Sequence, residues 1–261
     1  MSTLPALFVS HGAPTLAIVD SPANRFLREL GKTLPRPKAI LVASAHWETR
    51  GGPAVSLAAQ PETIHDFGGF PDALFAIQYP APGAPETAAR AASLLSDAGF
   101  AVAQSPTRGL DHGAWVPLHL MYPDADIPVA QVSIVRGASP ADHERMGRAL
   151  ATLRAEGVLV IGSGSLTHNL HEFRGQPIDV AAPGWVSEFG NWMKSRLDDN
   201  DLDALREYRT RAPHAERNHP TDEHLLPLYV AMGAGGSGAR AERLHASYEY
   251  GILAMDVYAF S

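Results

Sequence analysis

The sequence predicts an α/β fold: one domain, with a mostly parallel central sheet flanked by helices on both faces. Three observations lead there. Short apolar runs recur along the chain, segments with apolar residues at three- and four-residue spacing alternate with them, and the runs themselves lack polar alternation. Alternation of the two patterns is the signature of parallel strands joined by crossover helices. Unbroken apolar strands are those covered on both faces. At 261 residues the chain is long enough to bury a large core and still fall within the size of one α/β unit, so residues 1–261 are expected to form a single domain.

The elements follow in order. Ala6 to Ser10 reads as the first strand, and Ser21 to Leu34, with Ser and Pro at its start, as the first helix. Ala39 to Ser44 is the second strand. His65 to Gly83, crowded with Gly, Pro and aromatics, reads as a long loop, and long ordered loops in compact domains are often functional. Pro85 to Gly99 is helical, and a further helix runs from Ala114 to Met121, immediately after a loop histidine, His112. Val129 to Ile134 is a strand, Pro140 to Gly157 a helix, Val158 to Gly162 a strand and Pro183 to Leu197 a helix. Arg209 to Thr221 reads as a second long loop. Thr221 is the expected N-cap of a helix that holds His224 in its first turn and runs to about Met232. Ile252 to Phe260 closes the chain as a strand.

Composition removes several functional classes. Lys and Arg number 21 against 28 Asp and Glu, for a formal charge of -7, and no basic run could neutralise several phosphates, so nucleic acid is not an expected partner. The chain contains 0 cysteines, which excludes disulfides, thiolate ligands and a cysteine nucleophile together. Any metal must then sit on nitrogen and oxygen. No apolar stretch is long enough to span a bilayer and no signal sequence opens the chain, so a cytoplasmic protein with no membrane partner is expected. No Gly-x-Ser-x-Gly elbow, Walker loop or strand-linked dinucleotide fingerprint occurs; Gly162-Ser163-Gly164-Ser165 resembles a phosphate cradle but lacks the following Lys.

The 12 histidines remain as the feature to follow. In open α/β sheets ligands bind where the carboxyl ends of strands converge. His11 follows the first strand, His46 the second, and His168 follows the strand ending at Gly162 through a Gly- and Ser-rich turn. Any one of these alone is more often a hydrogen-bonded structural residue. Three on one rim, each beside Gly or Ser that lets backbone approach, make a candidate site. His224, beside Glu223, and His112, beside Asp111, are two further candidates, each as readily explained locally by capping and packing. His119, His143, His171, His214, His219 and His245 offer nothing that separates function from packing.

Neutral imidazoles around a divalent metal suit two chemistries, activation of water by zinc or binding of dioxygen and a chelating substrate by non-haem iron(II). Spacing does not choose between them. In the hydrolytic alternative Glu223 or Asp111 would act as base, and a binding or sensing module would keep the ligands without catalysis.

The segments Ser10-His11-Gly12-Ala13-Pro14, Ser44-Ala45-His46-Trp47, Ile64-His65-Asp66-Phe67-Gly68-Gly69-Phe70-Pro71, Asp111-His112-Gly113, Gly162-Ser163-Gly164 with His168-Asn169-Leu170, and Glu223-His224-Leu225-Leu226-Pro227-Leu228 resemble, in this order, those of class III extradiol ring-cleavage dioxygenases, and within them the bacterial DOPA 4,5-dioxygenase type. The resemblance runs from about Pro5 to Phe260. It implies that the whole chain is one catalytic domain that opens a catechol ring with O2. His11, His46 and His224 would then be metal ligands, and His168 the base that deprotonates the catechol, close enough to touch the metal. His112 would stand near the bound oxygen, while His65, Asp66 and Phe67 line the substrate side. The implied cofactor is one divalent metal, Fe(II) for activity or Zn(II) as bound, and the implied partners are a small-molecule catechol and O2, in a homodimer or a monomer. Many class III enzymes supply Glu as third ligand; here the matching position is His224 and its neighbour is Glu223. Three neutral imidazoles would leave the ion's charge undiminished, which favours a catecholate dianion and also suits zinc.

Overall fold

The computed structural model describes residues 3–261. In chain order it contains β1 (Ala6–Ser10), α1 (Pro22–Thr33), β2 (Ala39–Thr49), β3 (Ala54–Ser56), α2 (Asp72–Phe75), α3 (Pro85–Asp97), β4 (Ala103–Ser105), α4 (His112–Met121), β5 (Val129–Val135), α5 (Pro140–Leu150) and β6 (Val158–Gly164). There follow α6 (Gly184–Asp198), α7 (Leu202–Arg206), α8 (Tyr208–Arg211), α9 (Ala215–Asn218), α10 (Leu226–Ala234), β7 (Ala241–His245), β8 (Tyr248–Glu249), β9 (Leu253–Ala254) and β10 (Val257–Phe260).

Eight strands form one sheet in the order β4-β3-β5-β2-β6-β1-β10-β7. Its centre is parallel, as β5 pairs β2, β2 pairs β6 and β6 pairs β1 in the same direction. Antiparallel pairing enters toward the margins, through β3 with β5 on one side and β10 with β1 and β7 on the other. The four central strands are buried throughout, apart from the far end of β2 beyond Ala45. Apolar side chains from alternate strand positions feed two cores: Leu41, Val132 and Val160 pack with α3, α5 and α10, while Leu7, Ile40 and Ile161 pack with α1 and α4. This is the two-faced sheet that unbroken apolar runs imply. None of the helices in the described residues is long and apolar enough to cross a membrane.

Helix starts follow local chemistry. Ser21 accepts from Asn24 N to cap α1, Asp111 accepts from Ala114 N to cap α4, and Ser139 with Asp142 forms a reciprocal capping box on α5. The departures from the sequence reading are local. His112 is the first residue of α4, not a loop residue before it. Thr221 does not cap α10: its hydroxyl donates to Glu223 Oε1 at 3.1 Å, and the helix begins at Leu226. Pro227 near the helix start has a preset φ and no N–H to leave unpaired, which fixes the start there. The two long loops contain single-turn helices, α2 in one, most of α8 and all of α9 in the other, too short to give a periodic pattern. Pro140 to Gly157 is α5 followed by a 3₁₀ turn over Ala151–Arg154. The closing strand is broken: β9 pairs with β8 in a separate ribbon, and only β10 joins the main sheet.

Candidate metal centre

Strand register assembles the site. Ser10 lies opposite Gly164 and Ser44 opposite Ser163, so the carboxyl ends of β1, β6 and β2 stand side by side. His11 leaves β1 with its N–H on the Gly164 carbonyl at 2.9 Å, and His46 extends from β2 beside it. His224 is brought over the same rim by backbone. Ser165 N donates to its carbonyl at 2.8 Å, and an added Cβ on Gly164 would stand 2.1 Å from that carbonyl oxygen. Gly162, two residues back on the same strand face, is equally close to the Pro227 carbonyl, at 2.0 Å. The Gly-Ser-Gly spacing therefore belongs to β6, where glycines let the entry to α10 lie directly on the strand. Gly164→Ala is expected to cost about 1–3 kcal/mol by overpacking and to weaken metal binding by shifting His224. Gly68→Ala, where an added Cβ meets nothing within 4 Å, should do neither; thermal unfolding and metal titration distinguish the two.

The three imidazoles meet through their Nε2 atoms, 3.0 Å between His46 and His11 and 3.3 Å between His224 and His46. One nitrogen from each lies within 4.8 Å of the others, a spacing fit for a single ion. Each outer nitrogen faces a partner. His11 Nδ1 is 3.0 Å from Ser163 Oγ, His224 Nδ1–H donates to Glu223 Oε1 at 3.0 Å, and His46 Nδ1 is 3.6 Å from Asp66 Oδ2, an ion-pair distance longer than a hydrogen bond. Outer partners of this kind orient metal-binding histidines. Burial, followed by the neighbouring histidines, holds His11 and His224 well below the ordinary imidazole value and His46 at about 3. All three are neutral donors at physiological pH, and the set fits a divalent ion that accepts nitrogen ligands.

Glu223 and Asp66 also change the electrostatics expected from the sequence. Three neutral imidazoles bring no charge, but each of two carboxylates stands beside one of them. Burial works to raise Asp66, yet its hydrogen bonds and charge interaction with His112 outweigh this and hold it at about 2. Part of an ion's charge would thus be offset through the histidines rather than by a directly bound glutamate.

The remaining predicted residues take distinct places. His168 stacks on His224, with ring centroids 3.5 Å apart and planes 7° from parallel; it groups with Glu223 and His224 rather than with His11 and His46. Burial, opposed by Glu223, lowers His168 to about 4, away from the ordinary 6.5. Its loop is fixed by backbone, His168 N donating to the Asn218 carbonyl, while buried His219 donates Nε2–H to the Leu166 carbonyl. His112 lies 3.9 Å from His46 between ring centroids and donates Nδ1–H to Asp66 Oδ1 at 2.9 Å. Asp66 turns its carboxylate to these two histidines. His65 ties its loop by a 3.0 Å bond from Nε2 to the Ile77 carbonyl, and Phe67 stands edge-on to His112 at 5.7 Å.

The two carboxylates considered as hydrolytic bases are both engaged. Asp111 is fully buried and accepts from Ser44 Oγ, Ala114 N and Arg108, so it is a cap and a brace for the His46 segment. Glu223 accepts from both His224 and Thr221. Ser163, and Arg108, which donates to the His46 carbonyl at 3.2 Å, have no role that the sequence alone suggests. Ser163 lies in a Gly- and Ser-rich stretch that reads as a turn, and the contacts of Arg108 depend on chain crossings that spacing does not reveal.

A parallel sheet thus brings three histidines together around one metal-sized space at its carboxyl rim, an arrangement that could hold a divalent ion. Residues 4–260 match the catalytic LigB subunit of aromatic ring-opening dioxygenase, and the chain belongs to that family. It is 46% identical over 260 residues to a 4,5-DOPA dioxygenase extradiol of Beta vulgaris, covering 97% of this chain and 95% of that protein. It is 42% identical over 233 residues to one of Escherichia coli strain K12, covering 88% and 85%. The crystal structure of an uncharacterized protein from Escherichia coli K12 superposes with a TM-score of 0.83 at 35% identity, covering 99% of this chain and 100% of that one.

Proposed function

We propose that the chain, acting as one catalytic domain, opens the ring of a catechol with a DOPA-like side chain next to its two hydroxyl-bearing carbons, using O2 and one iron(II). His11, His46 and His224 are the ligands. The observation that carries this reading is the convergence of their Nε2 atoms, 3.0 Å between His46 and His11 and 3.3 Å between His224 and His46, a spacing that suits nitrogens sharing one cation. Zinc(II) binds the same donors, and availability decides which ion a preparation carries. When bound, the ion supplies a Lewis-acid site for the two diol oxygens and the redox capacity to engage dioxygen.

The chain's own residues do the rest. His168, neutral at working pH, takes a hydroxyl proton from the catechol as it binds. The positive charge it gains is stabilised by the anionic diol beside it and by nearby Glu223. His112 is oriented by Asp66, which accepts its Nδ1–H; with a second hydrogen on Nε2 as well, the ring donates from Nε2 to the oxygen atom on which negative charge builds, an electrostatic role. Phe67 offers an aromatic wall beside His112, and Phe70, Phe75 and Trp115 pack around it. His65 pins that wall's loop, so the residues of the 65–67 segment act as positioner, orienter and wall.

The test is anaerobic loading of the metal-free chain with Fe(II), followed by DOPA and simpler catechols in air. The expected result is oxygen uptake with the yellow colour of a ring-opened semialdehyde. Absence of uptake with every catechol, in protein shown to carry iron, would overturn the proposal.

A further inference from the structure

A proline inside a helix leads to the residue that decides how His11 presents its nitrogens. Pro117 lies within α4. Proline has no N–H, so the carbonyl four residues earlier, that of Gly113, loses its ordinary helical donor. Ser163, at the end of β6 and completely buried, fills the vacancy by donating its Oγ–H to that carbonyl. A serine hydroxyl carries a single proton. With that proton committed to a group that only accepts, Ser163 Oγ is left to accept from His11 Nδ1, 3.0 Å away.

We propose that Ser163, its own proton held by the Gly113 carbonyl, fixes His11 as the tautomer with hydrogen on Nδ1, so that Nε2 faces His46 and His224 as a bare lone pair. For its effect on metal binding, this rests on the reading of His11 as a ligand. Of the two ligand histidines with an outer hydrogen bond, only His11 needs such a device. His224 meets a carboxylate, which accepts only and sets the tautomer unaided. His11 meets a hydroxyl, which donates or accepts according to where its proton goes; the helix with its proline removes that freedom. Gly113 is itself constrained, because an added Cβ would stand 2.5 Å from Ser44 Oγ and 3.0 Å from His46 Cδ2. The helix start that bears the accepting carbonyl is thus packed directly against a second ligand.

The experiment uses the full chain, metal-free and labelled with ¹⁵N. Long-range ¹H–¹⁵N spectra of the imidazoles report which nitrogen of His11 bears hydrogen, and Zn(II) affinity is measured separately by competition with a chelator. The wild type should show His11 protonated on Nδ1 alone. Ser163→Ala should show both tautomers and bind Zn(II) about 10–100-fold more weakly, the usual loss when an outer partner is removed. Pro117→Ala leaves every side chain around the cluster in place but returns an N–H that competes for the Gly113 carbonyl; a mixed His11 signal and a smaller loss of affinity are expected. Folding of either variant suffices for the test. A wild-type His11 with hydrogen on Nε2, or variants that keep the pure Nδ1–H signal and wild-type affinity, would overturn the assignment. Should the wild type bind no divalent ion while its Nδ1–H signal is present and lost in Ser163→Ala, the tautomer lock stands and the metal-ligand reading falls.

Discussion

Replacing His11, His46 or His224 by alanine is expected to abolish metal binding and ring opening together. The loss should exceed the about 10–100-fold that removal of an outer partner costs, because an inner donor disappears and the two nitrogens that remain give an incomplete set. Folding should survive. His11 and His46 lie at the carboxyl ends of strands and His224 just before α10, and removing any of them loosens a cluster whose ring nitrogens are 3.0 Å (His46–His11) and 3.3 Å (His224–His46) apart. Metal content per chain, measured after loading and gel filtration, with circular dichroism as the control for folding, checks the prediction. Full stoichiometry retained in His11→Ala and His46→Ala would remove the basis for a shared centre.

A second substitution should separate binding from chemistry. His168→Gln is expected to leave metal content unchanged and to lower kcat by about 10²–10⁴-fold, the usual contribution of a positioned acid–base group. Its ring stacks on His224 but is not among the three converging nitrogens. The pH profile gives an independent signature. Burial lowers His168 to about 4, so its basic form is fully present near neutrality and is lost only as pH falls through about 4. The acidic limb of kcat/KM should therefore lie near 4, well below the roughly 6.5 of an unperturbed histidine. Metal content followed over the same range distinguishes loss of the base from loss of the ion. A limb near 6.5 with metal retained, or loss of metal in His168→Gln, would contradict the role given to this residue.

The physics behind these results also explains how much could be read before any coordinates. Strands β1, β5 and β6 announce themselves as apolar runs because both their faces are covered, and the starts of α1 and α5 are set by a Ser-Pro pair whose capping works within one turn. Such short-range causes are written in consecutive residues. The same holds for the candidates: His11 and His46 stand immediately after apolar runs, and His112, His168 and His224 lie within short motifs of consecutive residues. What the local pattern got wrong were elements decided by contacts elsewhere. The strands β3 and β4 are too short to show a pattern, the half-exposed β7 (AERLH) has no apolar run, and α10 starts later than Thr221 suggests because Thr221 binds Glu223 and Pro227 favours a start beside itself.

The sequence by itself determined the class of fold, the nitrogen and oxygen character of any metal site in a chain with 0 cysteines, and the identity of the residues able to build it. Only the tertiary structure decided which groups face one another. Whether Asp66 faces a substrate or His112, whether Asp111 is free or a buried brace, and where Ser163 sends its one proton depend on atoms tens to hundreds of residues apart. Imidazoles, carboxylates and hydroxyls are each able to donate, accept or coordinate. Which of these they do is fixed by the partner a few ångströms away, and that partner is chosen by the register of the strands and the crossing of the chain.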